Sequence, residues 1–194
     1  MDSHAWDRRY AEQPRPFGAV ANATLVAELV TLPPERAVDL ACGDGRHAAW
    51  LASRGWRVDA VDFSPVAISD AEREWQQDVG DSVRWHVGDA LSWDPPERAD
   101  LVLIAYLQTA RLPLVIERAR TWLRPDGRIV YLGHARDNLA YGVGGPRSPE
   151  VLPTVASLAS ALDGMEVLSL RHVVRPTAAG DAYDVLAVAR EMPA

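Results

Sequence analysis

The stretch Asp39-Leu40-Ala41-Cys42-Gly43-Asp44-Gly45-Arg46-His47-Ala48 constrains this chain more than any other. An apolar run, Ala37 to Ala41, passes into a Gly-x-Gly turn and then into a segment of helical character. Gly43 and Gly45 therefore stand where a strand hands over to a helix, the place where backbone must approach a bound nucleotide with no Cβ in the way. Two later apolar runs also lead to an acid: Arg57 to Asp62, and Val83 to Val87 followed by Gly88-Asp89-Ala90. The turn alone leaves a choice, because Gly-x-Gly-x-x-Ala also fits a dinucleotide fold with its pyrophosphate at the helix N-terminus. Asp44, inside the turn, would repel a pyrophosphate and suits a ligand bearing an ammonium or a ribose. Asp62 is placed to accept from two ribose hydroxyls, a feature the dinucleotide fold shares. Asp89 can accept from an exocyclic adenine amine. Together the three acids suit a neutral adenosine with a cationic amino-acid tail.

The rest of the chain continues the alternation of apolar runs and amphipathic segments. Leu25, Val26, Leu29 and Val30 recur at helical spacing in a helix expected over 19–32, which Pro33-Pro34 ends. The first strand, 37–41, leads through the turn to a helix over 46–54, stopped by Gly55. A second strand covers 57–62, and its helix opens with Ser64 as N-cap and Pro65 at the first helical position. Strands follow at 83–87 and 100–105, the latter nearly all apolar and so expected near the sheet centre. Next come a helix over 112–123, a turn at Arg124-Pro125-Asp126-Gly127 and a fifth strand at 128–132. A polar, Gly-rich loop over 133–148 precedes a helix over 149–162. The runs 165–174 and 182–189 have no helix between them and are expected to form an antiparallel hairpin. The expected fold is α/β: a doubly wound, seven-stranded, mostly parallel sheet with an antiparallel C-terminal hairpin that supplies an antiparallel edge strand.

Composition excludes several chemistries. All 20 basic residues are arginine, so a lysine Schiff base, a P-loop and lysine general bases are ruled out. The lone cysteine, Cys42, allows neither an intramolecular disulfide nor a cysteine-rich zinc site. A net charge of −7 with scattered arginines offers no basic stripe, and no nucleic-acid partner is expected. The first twenty residues hold no signal-peptide stretch, and the longest apolar run, Leu101 to Leu107, is too short to span a bilayer. A cytoplasmic protein with no membrane contact is the expectation.

Asp39 to Gly45, Val61-Asp62-Phe63-Ser64, Gly88-Asp89-Ala90 and Trp122-Leu123-Arg124-Pro125-Asp126-Gly127 resemble, in order and spacing, the successive motifs of class I S-adenosylmethionine-dependent methyltransferases. The resemblance implies a Rossmann-like fold and S-adenosyl-L-methionine as cofactor. It also implies that Asp39, Ala41, Gly43 and Gly45 surround the methionine portion and that Asp62 binds the ribose. Phe63 would flank the adenine face, and Asp89 with Ala90 would read the adenine edge. Trp6-Asp7-Arg8-Arg9-Tyr10 and Pro16-Phe17-Gly18 are similar to the aromatic lid of the small tellurite-resistance, thiopurine and thiol/halide methyltransferases, with Tyr10 and Phe17 where tryptophans are frequent. Such a lid implies Trp6 and Tyr10 against the cofactor, since aromatic faces suit a sulfonium and closure keeps water from the methyl group. The bland alternative is an amphipathic helix that merely packs on the sheet. The expected organisation is one methyltransferase domain, 1–194, with a lid or helical segment over 1–35 and the seven-stranded core over 36–194.

In open α/β sheets the reaction lies outside the carboxyl ends of the strands. There the fourth strand is followed by Tyr106-Leu107-Gln108-Thr109 and the fifth by Gly133-His134-Ala135-Arg136-Asp137-Asn138. The first set lacks the Asn/Asp-Pro-Pro-Tyr/Phe arrangement that grips a planar nitrogen, which disfavours adenine or glutamine N-methylation. His134 is the candidate general base and Tyr106 the second candidate catalytic residue. A structural hydrogen bond into the next loop is the competing reading of His134. Arg111 and Arg136 could hold an anionic group. His47 reads as structural, and His4, His86 and His172 show no constellation with acids, so no metal is expected. No Asp–His pair is visible, and a thiolate needs no strong base. The expected reaction is thus methyl transfer to a small-molecule acceptor, with a thiol or other soft nucleophile favoured. A non-catalytic S-adenosylmethionine-binding module and an NAD(P)-dependent reductase are the alternatives; the latter lacks lysine for a Tyr–Lys pair and leaves Asp44 and Asp89 unexplained.

Overall fold

The computed structural model describes residues 3–13 and 15–192, which divide into two compact units, Met1–Ala99 and Asp100–Ala194. The first holds helices α1 (Ser3–Glu12) and α2 (Ala23–Leu29), then strand β1 (Arg36–Leu40), α3 (Arg46–Ser53), β2 (Arg57–Asp62), α4 (Pro65–Val79) and β3 (Val83–Val87). β1 and β3 both pair in parallel with β2, with Asp39 opposite Ala60 and Asp62 opposite Val87. All five residues of β1 are buried, the apolar Ala37, Val38 and Leu40 as a strand covered on both faces requires, and Arg36 and Asp39 with them. Two helix starts follow the capping logic of the sequence. The Ser64 side chain accepts from the Ala67 N–H with Pro65 in the first turn, and Asn22 caps Thr24. That Asn22 cap shortens α2 at its start relative to the expected 19–32, and Leu25 and Leu29 alone form its buried face.

The second unit follows β4 (Ala99–Ala105) with α5 (Leu112–Thr121), β5 (Leu123–His134), α6 (Asn138–Tyr141), α7 (Val155–Ala161), β6 (Glu166–Thr177) and β7 (Gly180–Arg190). The helix expected over 149–162 is divided: a short 3-10 turn at Pro149–Val151 precedes α7, whose start is set by a capping box between Thr154 and Ser157. The turn expected at 124–127 is absorbed into an irregular start of β5, where Asp126 adopts φ 64. β7 runs antiparallel to both β5 and β6. The seven strands form one sheet in the order β3-β2-β1-β4-β5-β7-β6. The antiparallel strand is therefore not at the edge, as expected, but one place in. This matches burial, since β7 is nearly all buried from Ala182 onward whereas β6 exposes Val167, Leu168 and Val174. Among the described residues no helix is long and apolar enough to cross a membrane.

Candidate functional site

In the first unit the end of β1 turns sharply. Ala41, Gly43 and Gly45 all take left-handed backbone angles, with φ 62, 56 and 78. For Ala41 that conformation costs about 1–3 kcal/mol, strain of the kind that collects at binding sites. A Cβ on Gly43 would lie 2.6 Å from the Tyr10 hydroxyl, and one on Gly45 would lie 2.5 Å from the Trp85 ring. The glycines thus admit the Tyr10 hydroxyl and the Trp85 ring, as well as the left-handed turn. Asp62 closes the cradle from the tip of β2: its Oδ2 accepts from the Gly43 N–H at 3.0 Å and its Oδ1 from the Ser64 N–H at 2.9 Å. Ser64 Oγ accepts from Ala67 and donates to Asp7 of α1 at 2.5 Å, tying the N-terminal helix to the cap of α4.

Three carboxylates meet here without a matching set of cations. Asp39 is fully buried and neither of its oxygens has a hydrogen-bond partner; the buried Oδ2 of Asp44 lacks one too. Burial pushes the Asp39 pKa up to about 7, helped by the negative charges of Asp62 and Asp44, while the nearby Ala48 N–H dipole, short of a formed hydrogen bond, and the Arg46 charge pull only partway back. Burial likewise raises Asp44 and Asp62, the latter with help from Asp7 and Asp44. Cys42 beside them is buried and its thiol is pushed up first by burial and then by the same acids, which makes it a poor nucleophile. A cluster of this kind suits a cation and opposes a pyrophosphate.

The other expected cofactor residues surround this cradle or its strand ends. Tyr10 is buried and its phenol is raised by burial and by Asp62 and Asp44; Trp6 stacks on it with centroids 5.7 Å apart and lies 6.2 Å from Phe17. Arg9 sits over both Trp6 and Phe17, at 5.1 and 5.0 Å. Phe63 is half-buried just past the tip of β2. Asp89 is exposed just beyond β3, where its Oδ1 accepts from the Leu91 N–H at 2.8 Å, and Ala90 is half-buried beside it.

The second unit carries a different cluster. Tyr106 follows β4 with φ 57, a second non-glycine residue in the left-handed region at a strand end. Its hydroxyl donates to Asp184 Oδ2 at 2.7 Å, and Arg175 Nε donates to the same oxygen at 2.9 Å. His134, the last residue of β5, stands opposite Asp184 of β7 in the sheet register, with Nδ1 2.9 Å from Asp184 Oδ1. The contact is close but off the line of an ideal hydrogen bond, and neither atom has another partner among the described residues. Asp184 is fully buried; burial alone would raise its pKa, but His134, Arg175 and Tyr106 outweigh it and hold the carboxyl below the usual range. Burial first and the Asp184 charge second push the Tyr106 phenol up, so it stays protonated. A narrow cleft is lined by Tyr106, Leu107, Tyr131, His134, Pro146 and Leu152. Asn138 holds the loop over it, donating to the Gly144 carbonyl at 2.9 Å and accepting from the Tyr183 N–H at 2.7 Å.

Comparison with known proteins decides between the ligand classes. Residues 37–127 match the methyltransferase-domain family model. The chain is 34% identical over 111 residues to ribosomal RNA small subunit methyltransferase C of Chromohalobacter salexigens, covering 52% of this chain and 32% of that protein. It is 30% identical over 129 residues to protein-L-isoaspartate O-methyltransferase of Methylorubrum populi, covering 62% of this chain and 58% of that one. Its fold is similar to that of the N-methyltransferase NodS of Bradyrhizobium japonicum in complex with S-adenosylhomocysteine, with a TM-score of 0.77, 17% identity, and coverage of 98% and 99%. Residues 37–127 thus match a methyltransferase domain, in a chain whose fold is that of class I methyltransferases. S-adenosylmethionine fits these residues, since it would bring an ammonium and a sulfonium to buried acids that lack hydrogen-bond partners. The chain spans less than two thirds of the length of the curated relatives it matches.

Two sequence expectations about this methyltransferase domain are corrected. An Asp–His pair does exist: Asp184 lies 50 positions from His134 and meets it only through the β5–β7 pairing, which no local motif announces. His86 and His172 do contact acids, Asp59 at 2.9 Å and Asp137 at 3.6 Å. Arg84 also pairs with Asp59 through both oxygens and Arg36 through one, and both arginines pair with Glu97, so the two cations there meet two acids. Among the described residues no group of three or more His, Cys, Asp or Glu could hold a metal. His47 is a neutral acceptor for the Asn22 N–H at 3.3 Å, its pKa lowered to about 3 by burial and Arg46.

Proposed function

We propose that this chain transfers the methyl group of S-adenosylmethionine to a small molecule through an O–H or S–H group that His134 deprotonates. The observation that carries the reading is the contact of His134 Nδ1 with buried Asp184 beside a small, largely apolar cleft. Asp184 occupies one ring nitrogen, which leaves Nε2 to take a proton. The thiol expectation rests on the lack of such a pair; with the pair present, a phenol or enol is as well served as a thiol. The lining of Leu107, Pro146, Val151 and Leu152 beside Tyr106 and His134 favours a small, largely apolar acceptor.

On the cofactor side, Asp39 and Asp44 face the ammonium and Asp62 the ribose hydroxyls, with Ala41, Gly43 and Gly45 giving backbone access. Trp6 and Tyr10 close over the methyl donor, Phe63 lies against adenine, and Asp89 with Ala90 reads its edge. The cofactor supplies a methyl on a sulfonium, already a good leaving group. The protein then contributes alignment, worth ~7–11 kcal/mol of barrier, and a proton acceptor.

Calorimetry with S-adenosylmethionine and S-adenosylhomocysteine, with nicotinamide cofactors as controls, followed by a screen of small thiols and phenols, tests the reading. Binding of S-adenosylmethionine and its demethylated product, with turnover on either acceptor class, supports it. Binding with no turnover on any acceptor leaves the non-catalytic module, and a nicotinamide signal alone would restore the dinucleotide alternative.

A further inference from the structure

We propose that Asp184, oriented by Arg175 and Tyr106, is the positioning residue that dictates which nitrogen of His134 carries the proton. The assignment rests on the reading of His134 as the base. The two oxygens of Asp184 have separate duties. Oδ2 takes two donors, the Tyr106 hydroxyl at 2.7 Å and Arg175 Nε at 2.9 Å. Oδ1 faces only Nδ1 of His134, at 2.9 Å. A carboxylate is purely an acceptor, so the neutral ring must offer it Nδ1–H and keep Nε2 bare. The groups about the pair are Tyr106 past β4, whose ring centroid lies 5.2 Å from that of the imidazole, Tyr131 of β5 in the same cleft, and Arg175 of β6 on Asp184, with Asp184 the one anion among them. Both phenols are held protonated by burial and by Asp184. The ring's other side meets Gly145, where a Cβ would lie 3.0 Å from Nε2, so that side offers no competing charge.

The division of duties makes a specific substitution informative. In Asp184→Asn the side chain has one oxygen and one NH₂. Tyr106 and Arg175 both donate to the Oδ2 position, so the amide oxygen must go there and the NH₂ must face His134. Nδ1 then has to accept, and the proton moves to Nε2. The base is lost although no atom has been removed and the charge-free isostere still fits. Tyr106→Phe, which leaves the carboxylate in place, keeps Nδ1–H.

Long-range proton–nitrogen correlation spectra of the histidine rings in the labelled full chain read this directly, with His134→Gln used to assign the signal. Expected are Nδ1–H in the wild type and in Tyr106→Phe, and Nε2–H in Asp184→Asn. Wild-type protein with Nε2–H overturns the proposal even should Asp184→Asn not fold. An unchanged tautomer in folded Asp184→Asn also overturns it. The readout needs no acceptor and no turnover, so a chain that binds S-adenosylhomocysteine yet methylates nothing would defeat the proposed function while leaving the tautomer assignment standing. With an accepted thiol or phenol in hand, Asp184→Asn should lower turnover by on the order of 100-fold or more, with S-adenosylhomocysteine affinity unchanged.

Discussion

Both units of the molecule bury aspartates, and they treat them in opposite ways. Asp39, Asp44 and Asp62 in the first unit are all held above the usual carboxylate range, with Asp39 and one oxygen of Asp44 unpartnered. Asp184 in the second is just as deeply buried but receives a tyrosine, an arginine and a histidine, and is held below that range. Burial itself is therefore not the signal. A buried acid with its donors in place organises its neighbours, whereas one without them is arranged for a charge that comes from outside the chain.

The contrast has opposite signs in stability against pH. The folded chain holds an extra proton on Asp39 between about pH 4 and 7, so stability falls as pH rises through that window and stays low above it. A rise from 3.8 to about 7 corresponds to about 4 kcal/mol. Asp39→Asn should thus stabilise the cofactor-free chain by up to about 4 kcal/mol at pH 8 and by little at pH 4. Asp184, with its lowered pKa, contributes stability above about pH 4 that is lost as pH falls below it, and Asp184→Asn should destabilise at pH 8. Urea unfolding of both variants at the two pH values checks this; the same sign of change for both at pH 8 would dissolve the distinction between the units.

That distinction also explains what could be read from the sequence. The cofactor half is local: Asp39 to Gly45 lie within one strand and one turn, and Asp62 and Asp89 stand at or just past the ends of the next two strands. Period and punctuation were enough to find them. The acceptor half is assembled by pairing at a distance. His134 meets Asp184 because β7 inserts between β5 and β6, and the hairpin signal alone did not say which of its strands lies inside. Arg175 reaches Asp184 only through the β6–β7 register, in which it stands opposite Ala182. The latch from Asp7 to Ser64 was equally hidden, since nothing in either segment names the other.

Next in size is the ribose contact. Asp62 already accepts one backbone N–H on each oxygen, which fixes its plane and leaves lone pairs for two hydroxyls. Asp62→Ala should weaken S-adenosylhomocysteine binding by about 1.5–3 kcal/mol, through loss of charge-assisted hydrogen bonds and of the Gly43 anchor. Calorimetry reads it, and an unchanged affinity would remove Asp62 from the cofactor site. A smaller effect follows from Asp39. A ligand ammonium favours its ionised form, so binding should release a proton below pH 7, and affinity should rise by at most about tenfold per pH unit there before levelling off. Titrations in two buffers of different ionisation heat would show the release; affinity that is flat from pH 5 to 8 would mean that Asp39 does not meet the cation.

The smallest expected change in stability tests whether the acceptor half can be altered without touching the cofactor half. Gly145 has φ 73, and a Cβ there would lie 2.7 Å from the Cδ2 atom of His134. Asn138 fixes the neighbouring Gly144 carbonyl, so the loop cannot simply lift away. Gly145→Ala should cost about 1 kcal/mol from the left-handed backbone, and the methyl group must turn the imidazole. Turning the ring pulls Nδ1 off Asp184 Oδ1 and moves Nε2 in the cleft, so turnover should fall much further than stability does. Cofactor affinity should not change, because Asp39, Asp44 and Asp62 all belong to the other unit. If turnover and S-adenosylhomocysteine affinity fell together, the two halves would not be separable by charge, and the comparison between their aspartates would lose its functional meaning.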